Sequence, residues 1–98
     1  MGTLKADFSP AFTRDLKRMA KRNWRKEDLS NVISLILAND AESLEILRQR
    51  HRMHTLKGEW KNSRECHVAN AGDWLLIWSD DGTTAYFQRT GTHEELFR

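Results

Sequence analysis

Four histidines, His51, His54, His67 and His93, are the residues of this 98-residue chain best suited to chemistry. An imidazole with an unperturbed pKa of roughly 6.5 both takes and gives a proton near neutrality. A metal centre is a poor fit to them. Cys66 adjoins His67, but on a strand neighbouring residues point to opposite faces and cannot share an ion. Neither a Cys-x-x-Cys nor a His-Glu-x-x-His motif occurs, so neither metal nor any other cofactor is expected. No nucleophile motif and no glycine-rich phosphate loop is present either. What remains is imidazoles with one carboxylate, Asp73, and two guanidinium groups, Arg64 and Arg89. Cleavage of RNA by its own ribose 2′-hydroxyl needs that inventory. A base removes the 2′ proton, an acid protonates the departing 5′ oxygen, and a cation offsets the charge on phosphorus. Each proton transfer contributes about 10²–10⁴-fold. Trp60, Trp74 and Phe97 could offer stacking surface for a base, whereas Trp78 and Cys66 read as core.

The distribution of charge fits a polyanionic partner. The net charge is +2, but residues 1–64 carry +6 and residues 65–98 carry −4. One basic window holds Arg14, Lys17, Arg18, Lys21, Arg22, Arg25 and Lys26; the other holds Arg48, Arg50, Arg52, Lys57, Lys61 and Arg64. Such fields attract nucleic acid or an acidic protein. Hydrophobic residues make up 39% and charged residues 31%, a globular composition. No apolar run approaches the roughly 18–20 residues of a membrane span. Charged residues throughout the first twenty positions leave no leader-like stretch, and the lone cysteine suits a reducing compartment. The expectation is a cytoplasmic, membrane-free chain forming one domain over 1–98.

The elements that must position these groups can be read from periodicity. Leu4, Ala6 and Phe8 alternate as in a short strand. Ser9-Pro10 then reads as an N-cap with proline at the first helical position. Phe12, Leu16 and Met19 form one helical stripe, predicting a helix that ends near Asn23. A second helix is expected from Lys26 to Asn39 on Leu29, Val32, Ile33, Ile36 and Leu37. Glu42 to Arg50 reads as a short helical turn and His51 to Ser63 as a long ordered loop. Period two then takes over. Arg64 to Ala69 alternates Cys66 and Val68 against His67, placing His67 on the face away from the helices. Trp74 to Trp78 is an apolar run expected to be covered on both faces. Asp80-Asp81-Gly82 supplies a hairpin turn before a strand from Thr84 to Arg89, and Thr92 caps a last short helix. The predicted order is β-α-α-β-β-β plus a C-terminal helix: α+β, a mostly antiparallel sheet with a helical hairpin on one face.

Four stretches together resemble a known family. His54-Thr-Leu-Lys-Gly-Glu-Trp60, Arg64-Glu-Cys-His67, Asp73-Trp-Leu-Leu-Ile and Arg89-Thr-Gly-Thr-His93-Glu-Glu-Leu-Phe97 look like the YafQ-type toxins of the RelE/ParE superfamily, and the opening Phe8 to Lys17 is similar too. The resemblance implies a RelE-like fold and a bacterial type II toxin, an mRNA endoribonuclease acting in the ribosomal A site. It implies a RelB- or DinJ-like antitoxin as partner, alongside ribosome and message. Its catalytic set falls on His54, His67, Asp73, His93 and Phe97, with Arg89 nearby. His93 would act as acid and His54 or Asp73 as base, His67 would position the phosphate, Arg89 would offset its charge, and Phe97 would orient the substrate. Ribosomal RNA would meet Arg14, Lys17, Arg18, Lys21, Arg22, Arg50, Arg52, Lys57, Lys61 and Arg64. Two rival readings remain: a ParE-like gyrase inhibitor, a class that generally lacks the three histidines, and an RNA-binding module without catalysis. Three departures from the family stand out: Thr55 where proline is usual, expected to loosen the loop; a lengthened Val68 to Gly72 turn before Asp73; and Trp78 in place of tyrosine.

Overall fold

A computed structural model describes residues 2–69 and 72–97. Five strands make one sheet in the order β1-β5-β4-β3-β2: β1 Lys5–Phe8, β2 His54–Thr55, β3 Arg64–His67, β4 Leu75–Asp80 and β5 Thr84–Gly91. All neighbours are antiparallel except β1 and β5, which run parallel. Helices α1 Pro10–Ala20, α2 Lys26–Ala38 and α3 Ala41–His51 cover one face, and α4 His93–Leu96 follows β5.

The helices start where local chemistry favours it. The Ser9 hydroxyl accepts from the Phe12 amide at 3.0 Å, and Pro10 opens α1, as the sequence predicts. Between Lys21 and Asn23 the chain turns rather than continuing α1. The segment from Glu42 to Arg50, read as a short helical turn, is helical as expected but forms the body of a longer, 11-residue helix. Asp40 caps it, accepting from Ser43 at 2.7 Å, and Leu44 and Leu47, three apart, pack into the core. Its remaining surface is charged, which masks the helical period. The presumed long loop likewise contains β2 and a 3₁₀ turn, Gly58–Trp60. This strap runs under the sheet face opposite the helices. Thr55 lies in register with Arg64, and next to it the Leu56 amide donates to the Ser63 carbonyl at 2.9 Å, so the strap is fastened to β3 with threonine in place of proline.

The main core joins Phe12, Met19, Val32, Ile36 and Leu47 to Cys66, Leu76, Trp78 and Phe87. Leu75 and Ile77 point the other way, where Leu96, Leu56 and Trp60 cover them. β4 is therefore buried on both faces, as its unbroken apolar run implies. Burial pushes the Cys66 thiol well above its usual value, and the Glu65 charge adds to this. Trp74 is also core: its indole donates to the Thr90 hydroxyl at 2.9 Å.

One polar cluster ties α1 to β5 and α4. Asp15, 2% exposed, accepts from Arg89 Nε at 2.7 Å, from the Thr90 amide at 3.1 Å and from Arg18 at 2.9 Å. Glu95 takes Arg22 in two contacts, 3.1 and 2.7 Å, and Arg18 Nε lies 2.7 Å from it. Its bonds from Arg22 hold its carboxyl at about 2 against an opposing desolvation. Asp15→Ala strands a buried amide and the Arg89 guanidinium. Removing one partner of a buried pair costs about 3–5 kcal/mol. Thermal unfolding followed by circular dichroism should show Tm lower by more than about 10 °C; an unchanged Tm contradicts this account of the cluster.

Candidate active site

The face of the sheet away from the helices collects the chemistry. Antiparallel partners share a face, so the registers His67↔Leu75 and Glu65↔Ile77 put His67 and Glu65 over the small Leu75–Ile77 cluster. Strand alternation buries Cys66 between them in the main core.

His93 begins α4 at the end of β5. Thr92 caps that helix and Glu95 closes a capping box, so the position of His93 is set by the backbone rather than by its own side chain. Asp73 Oδ1 accepts both from the His93 amide at 3.0 Å and from Nδ1 of its ring at 2.9 Å. With Nδ1–H so engaged, Nε2 is the ring atom left to exchange a proton. Desolvation pushes the Asp73 carboxyl up, but the two bonds from His93 and the nearby histidine charges outweigh it and hold the group below the usual carboxylate range. Asp73 thus reaches the cluster despite the longer turn before it, of which Asn70 and Ala71 lie outside the described residues.

His67 faces His93 with ring centroids 6.1 Å apart. Burial pushes it below the ordinary imidazole value; Glu65 pulls it up, while Arg52, His93 and His54 push it down. The shift favours the neutral form of its ring. Phe97, 40% exposed, lies 5.9 Å from the His93 ring at a tilt of 41°, and Trp60 meets it edge-on at 6.4 Å.

His54 sits on β2 opposite Glu65 in the register. Its Nδ1 donates to the Arg52 carbonyl at 2.9 Å, and Nε2 lies 3.5 Å from Glu65 Oε1. The same bonding orients His51, whose Nδ1 donates to the His67 carbonyl at 2.8 Å. His51 therefore braces the backbone of β3 rather than joining the cluster.

Arg89 is less free than its residue type suggests. Two of its donors, Nε and Nη2, are held by Asp15, which also raises its pKa. Arg18, Arg22 and Arg89 face Asp15 and Glu95, leaving one formal positive charge in that cluster. Arg64 pairs loosely with Asp80 at 3.7 Å. Arg14, Lys17, Lys21, Arg50, Arg52, Lys57 and Lys61 are exposed and make no ion pair among the described residues. Of these, Arg52 acts electrostatically on His67.

Sequence reasoning missed Glu65 as a member of the site. Its place two residues before His67 on a strand signals a shared face; its burial depends on the strap and on β4. Among the described residues no group of three or more His, Cys, Asp or Glu is placed to hold a metal ion, and no helix is long and apolar enough to cross a membrane.

Residues 4–98 match the YafQ family, bacterial toxins of type II toxin-antitoxin systems. The mRNA interferase toxin YafQ of Escherichia coli K12 is 32% identical over 91 residues, spanning 93% of this chain and 92% of that protein. The crystal structure of YafQ from E. coli BL21(DE3) superposes with a TM-score of 0.84 at 29% identity, over 97% of this chain and 99% of that one. The E. coli DinJ–YafQ toxin-antitoxin complex matches with a TM-score of 0.81 at 29% identity, over 98% and 99% of the two chains. With the histidine cluster and the RelE-like α+β sheet in place, these likenesses make the chain a member of the YafQ family of bacterial type II toxins, within the RelE/ParE superfamily.

Proposed function

We propose that this toxin cuts mRNA in the ribosomal A site by attack of a ribose 2′-hydroxyl on the adjacent phosphodiester, without a metal ion. The observation that carries the reading is the His93–Asp73 pair at 2.9 Å, with the His67 ring 6.1 Å from that of His93. His54 Nε2 takes the 2′ proton. The 2′ oxygen bonds to phosphorus, and the 5′ oxygen leaves with the proton that His93 Nε2 donates. The products are a 2′,3′-cyclic phosphate and a 5′-hydroxyl. Asp73, with one oxygen already committed to His93, orients the acid and stabilises its charged form rather than serving as base. His67 positions the phosphate, Phe97 stacks the substrate, and Arg52 and Arg89 offset the added negative charge.

The exposed cations on α1 and along the α3–strap segment grip ribosomal RNA, so association weakens steeply with salt. The DinJ–YafQ complex of E. coli supports a cognate antitoxin of that type as the natural inhibitor. Charge complementarity favours an antitoxin with an acidic segment over the strap. The cytoplasm, where ribosomes are, is the place of action.

Primer extension on messages from cells expressing the toxin tests this. Cuts in phase with codons, absent with the His93→Ala variant, support the reading. Intact messages together with trapped gyrase complexes would replace it by gyrase inhibition, and intact messages with no gyrase effect would leave a binding module.

A further inference from the structure

Beside His54, at the edge of the sheet, lies a small pocket that the proposed proton transfers leave unused. β2 is the last strand of the sheet, so no further strand among the described residues covers that side. Leu44 and Arg48, four residues apart, share one face of α3. The chain then reverses at Arg52, whose φ of 54° is left-handed, and the Met53 amide returns to the Leu47 carbonyl at 3.0 Å. That turn lays Met53, His54 and Thr55 back beside the helix, with Arg64 opposite Thr55 on β3. These six residues line a cavity of about 290 Å³. Leu44 and Met53 pack half-buried against the main core and give the lining its apolar part, the methionine adapting to what lies on it. Two guanidinium groups give it charge, and neither is firmly held. Arg48 pairs with Glu45 at 2.8 Å with both side chains half in solvent, a pair worth little. Arg64 lies 3.7 Å from Asp80, beyond the roughly 2.7–3.2 Å of a hydrogen bond. A guanidinium plane stacks on a nucleobase, and its N–H groups bond base edges or phosphate. The volume falls at the bottom of the roughly 300–1,000 Å³ range of small-ligand sites, which suits one ring system rather than a peptide.

Resting on the ribonuclease reading above, we propose that the pocket between α3 and the β2 edge receives the base of the message nucleotide that supplies the attacking 2′-hydroxyl. His54 sets the register. It takes the 2′ proton, and the base hangs on the neighbouring carbon of the same sugar, so a 2′-hydroxyl brought to His54 brings its own base to a cavity that His54 lines. Leu44 and Met53 contact one side of the base, Arg48 stacks on the other, and Arg64 holds a base edge or the adjoining phosphate. Arg48 and Met53 are then specificity-determining residues, which act on the nucleotide that is cut and not on the proton transfers. Seating one base anchors the 2′-hydroxyl without enclosing the strand, so bending the message for in-line attack is still left to the ribosome.

A message with an abasic ribonucleotide at the cleaved position tests this, because the 2′-hydroxyl and both phosphates stay while the base is gone. On programmed ribosomes the wild-type toxin should cut it about 5- to 100-fold more slowly than the intact message, the loss expected of one stacked base. Arg48→Ala should lose about 5-fold or more on the intact message, yet cut the abasic message as fast as the wild type does. Its Tm should match the wild type, since only an exposed pair is lost. Arg48→Lys keeps the charge without the flat plane and should stay nearer the alanine variant than the wild type. Met53→Ala should change the relative rates among messages carrying A, G, C or U at that position, whereas loss of a merely structural residue lowers all four alike. The comparison of intact with abasic message needs no variant, so it decides the matter even where a substitution impairs folding. Equal wild-type rates on the two messages overturn the inference. So does an Arg48→Ala loss that is the same on both, the result expected where the pocket holds a ribosomal nucleotide or only props α3. A wild-type protein that cuts no intact message overturns the ribonuclease reading itself, whereas an active wild type indifferent to the missing base overturns this inference alone.

Discussion

Replacing His93 by alanine lowers the single-turnover rate of message cleavage on programmed ribosomes by about 10²–10⁴-fold, the usual contribution of one positioned general acid. The expectation is specific because little else changes. α4 is capped by Thr92 and Glu95, neither bond involves the His93 ring, and the His93 amide still reaches Asp73. The variant should therefore fold, bind ribosomes and melt like the wild type while losing the proton donor. Asp73→Asn gives a smaller loss by a related route. An amide can still accept from Nδ1–H but cannot stabilise the imidazolium. Because Asp73 is held below the usual carboxylate range, protonating it should reduce activity only at pH values lower than those at which an ordinary aspartate titrates. An alanine variant within threefold of the wild-type rate would remove His93 from the mechanism.

The second large effect is the difference between translated and free message. The side chains proposed to carry the chemistry stand open to solvent: His93 is 57% and Asp73 50% exposed by side chain, and His54 51%. An apolar cavity of about 550 Å³ exists, but Phe8, Leu16, Trp24, Leu29 and Ile33 line it, away from all three histidines. Among the described residues, nothing around His54, His67 and His93 encloses a flexible strand or bends it for in-line attack. Fixing reactants in geometry corresponds to effective molarities of about 10⁵ M and more, and here the A site must supply that. Cleavage of the same message should be at least about 1000-fold faster in a programmed ribosome than free in solution, even with a hundredth of that contribution realised. Comparable rates would mean that the toxin alone organises its substrate.

Which parts of this were legible in the sequence follows from the range of the interactions. Local chemistry was readable: the Ser9-Pro10 start of α1, the Thr92 cap, the Asp80–Gly82 hairpin, and the alternation that sends Cys66 inward and His67 outward. The full length of α3 was not, because only Leu44 and Leu47 reach the core while Arg48, Arg50 and Glu45 surround them. β2 was invisible for another reason. Two residues carry no period, and their strand character comes from pairing with Glu65 and Arg64 ten residues later.

The histidines were named from residue type and family likeness, but their partners required coordinates. Asp15 sits on an otherwise exposed turn of a basic helix, yet it is buried because Arg89 and Thr90 come to it from the far end of the chain. That contact turns part of the Arg89 charge inward. Glu65 carries the same lesson in reverse: on a strand of charged and polar residues nothing marks it as buried until β2 and β4 close over it. Long-range pairing, more than local propensity, distinguishes the side chains that do chemistry here from those that hold the sheet together.

The central claim is that imidazoles drive attack by the ribose oxygen, and one substitution in the substrate tests it most directly. A ribosome-bound message is prepared with a single 2′-deoxynucleotide at the cleaved position, leaving base, phosphate and ribosome unchanged. The account predicts complete loss of cleavage at that bond, with the all-ribose control yielding a 2′,3′-cyclic phosphate and a 5′-hydroxyl. Cleavage of the deoxy-substituted bond, or control products ending in a 3′-hydroxyl and a 5′-phosphate, would contradict it.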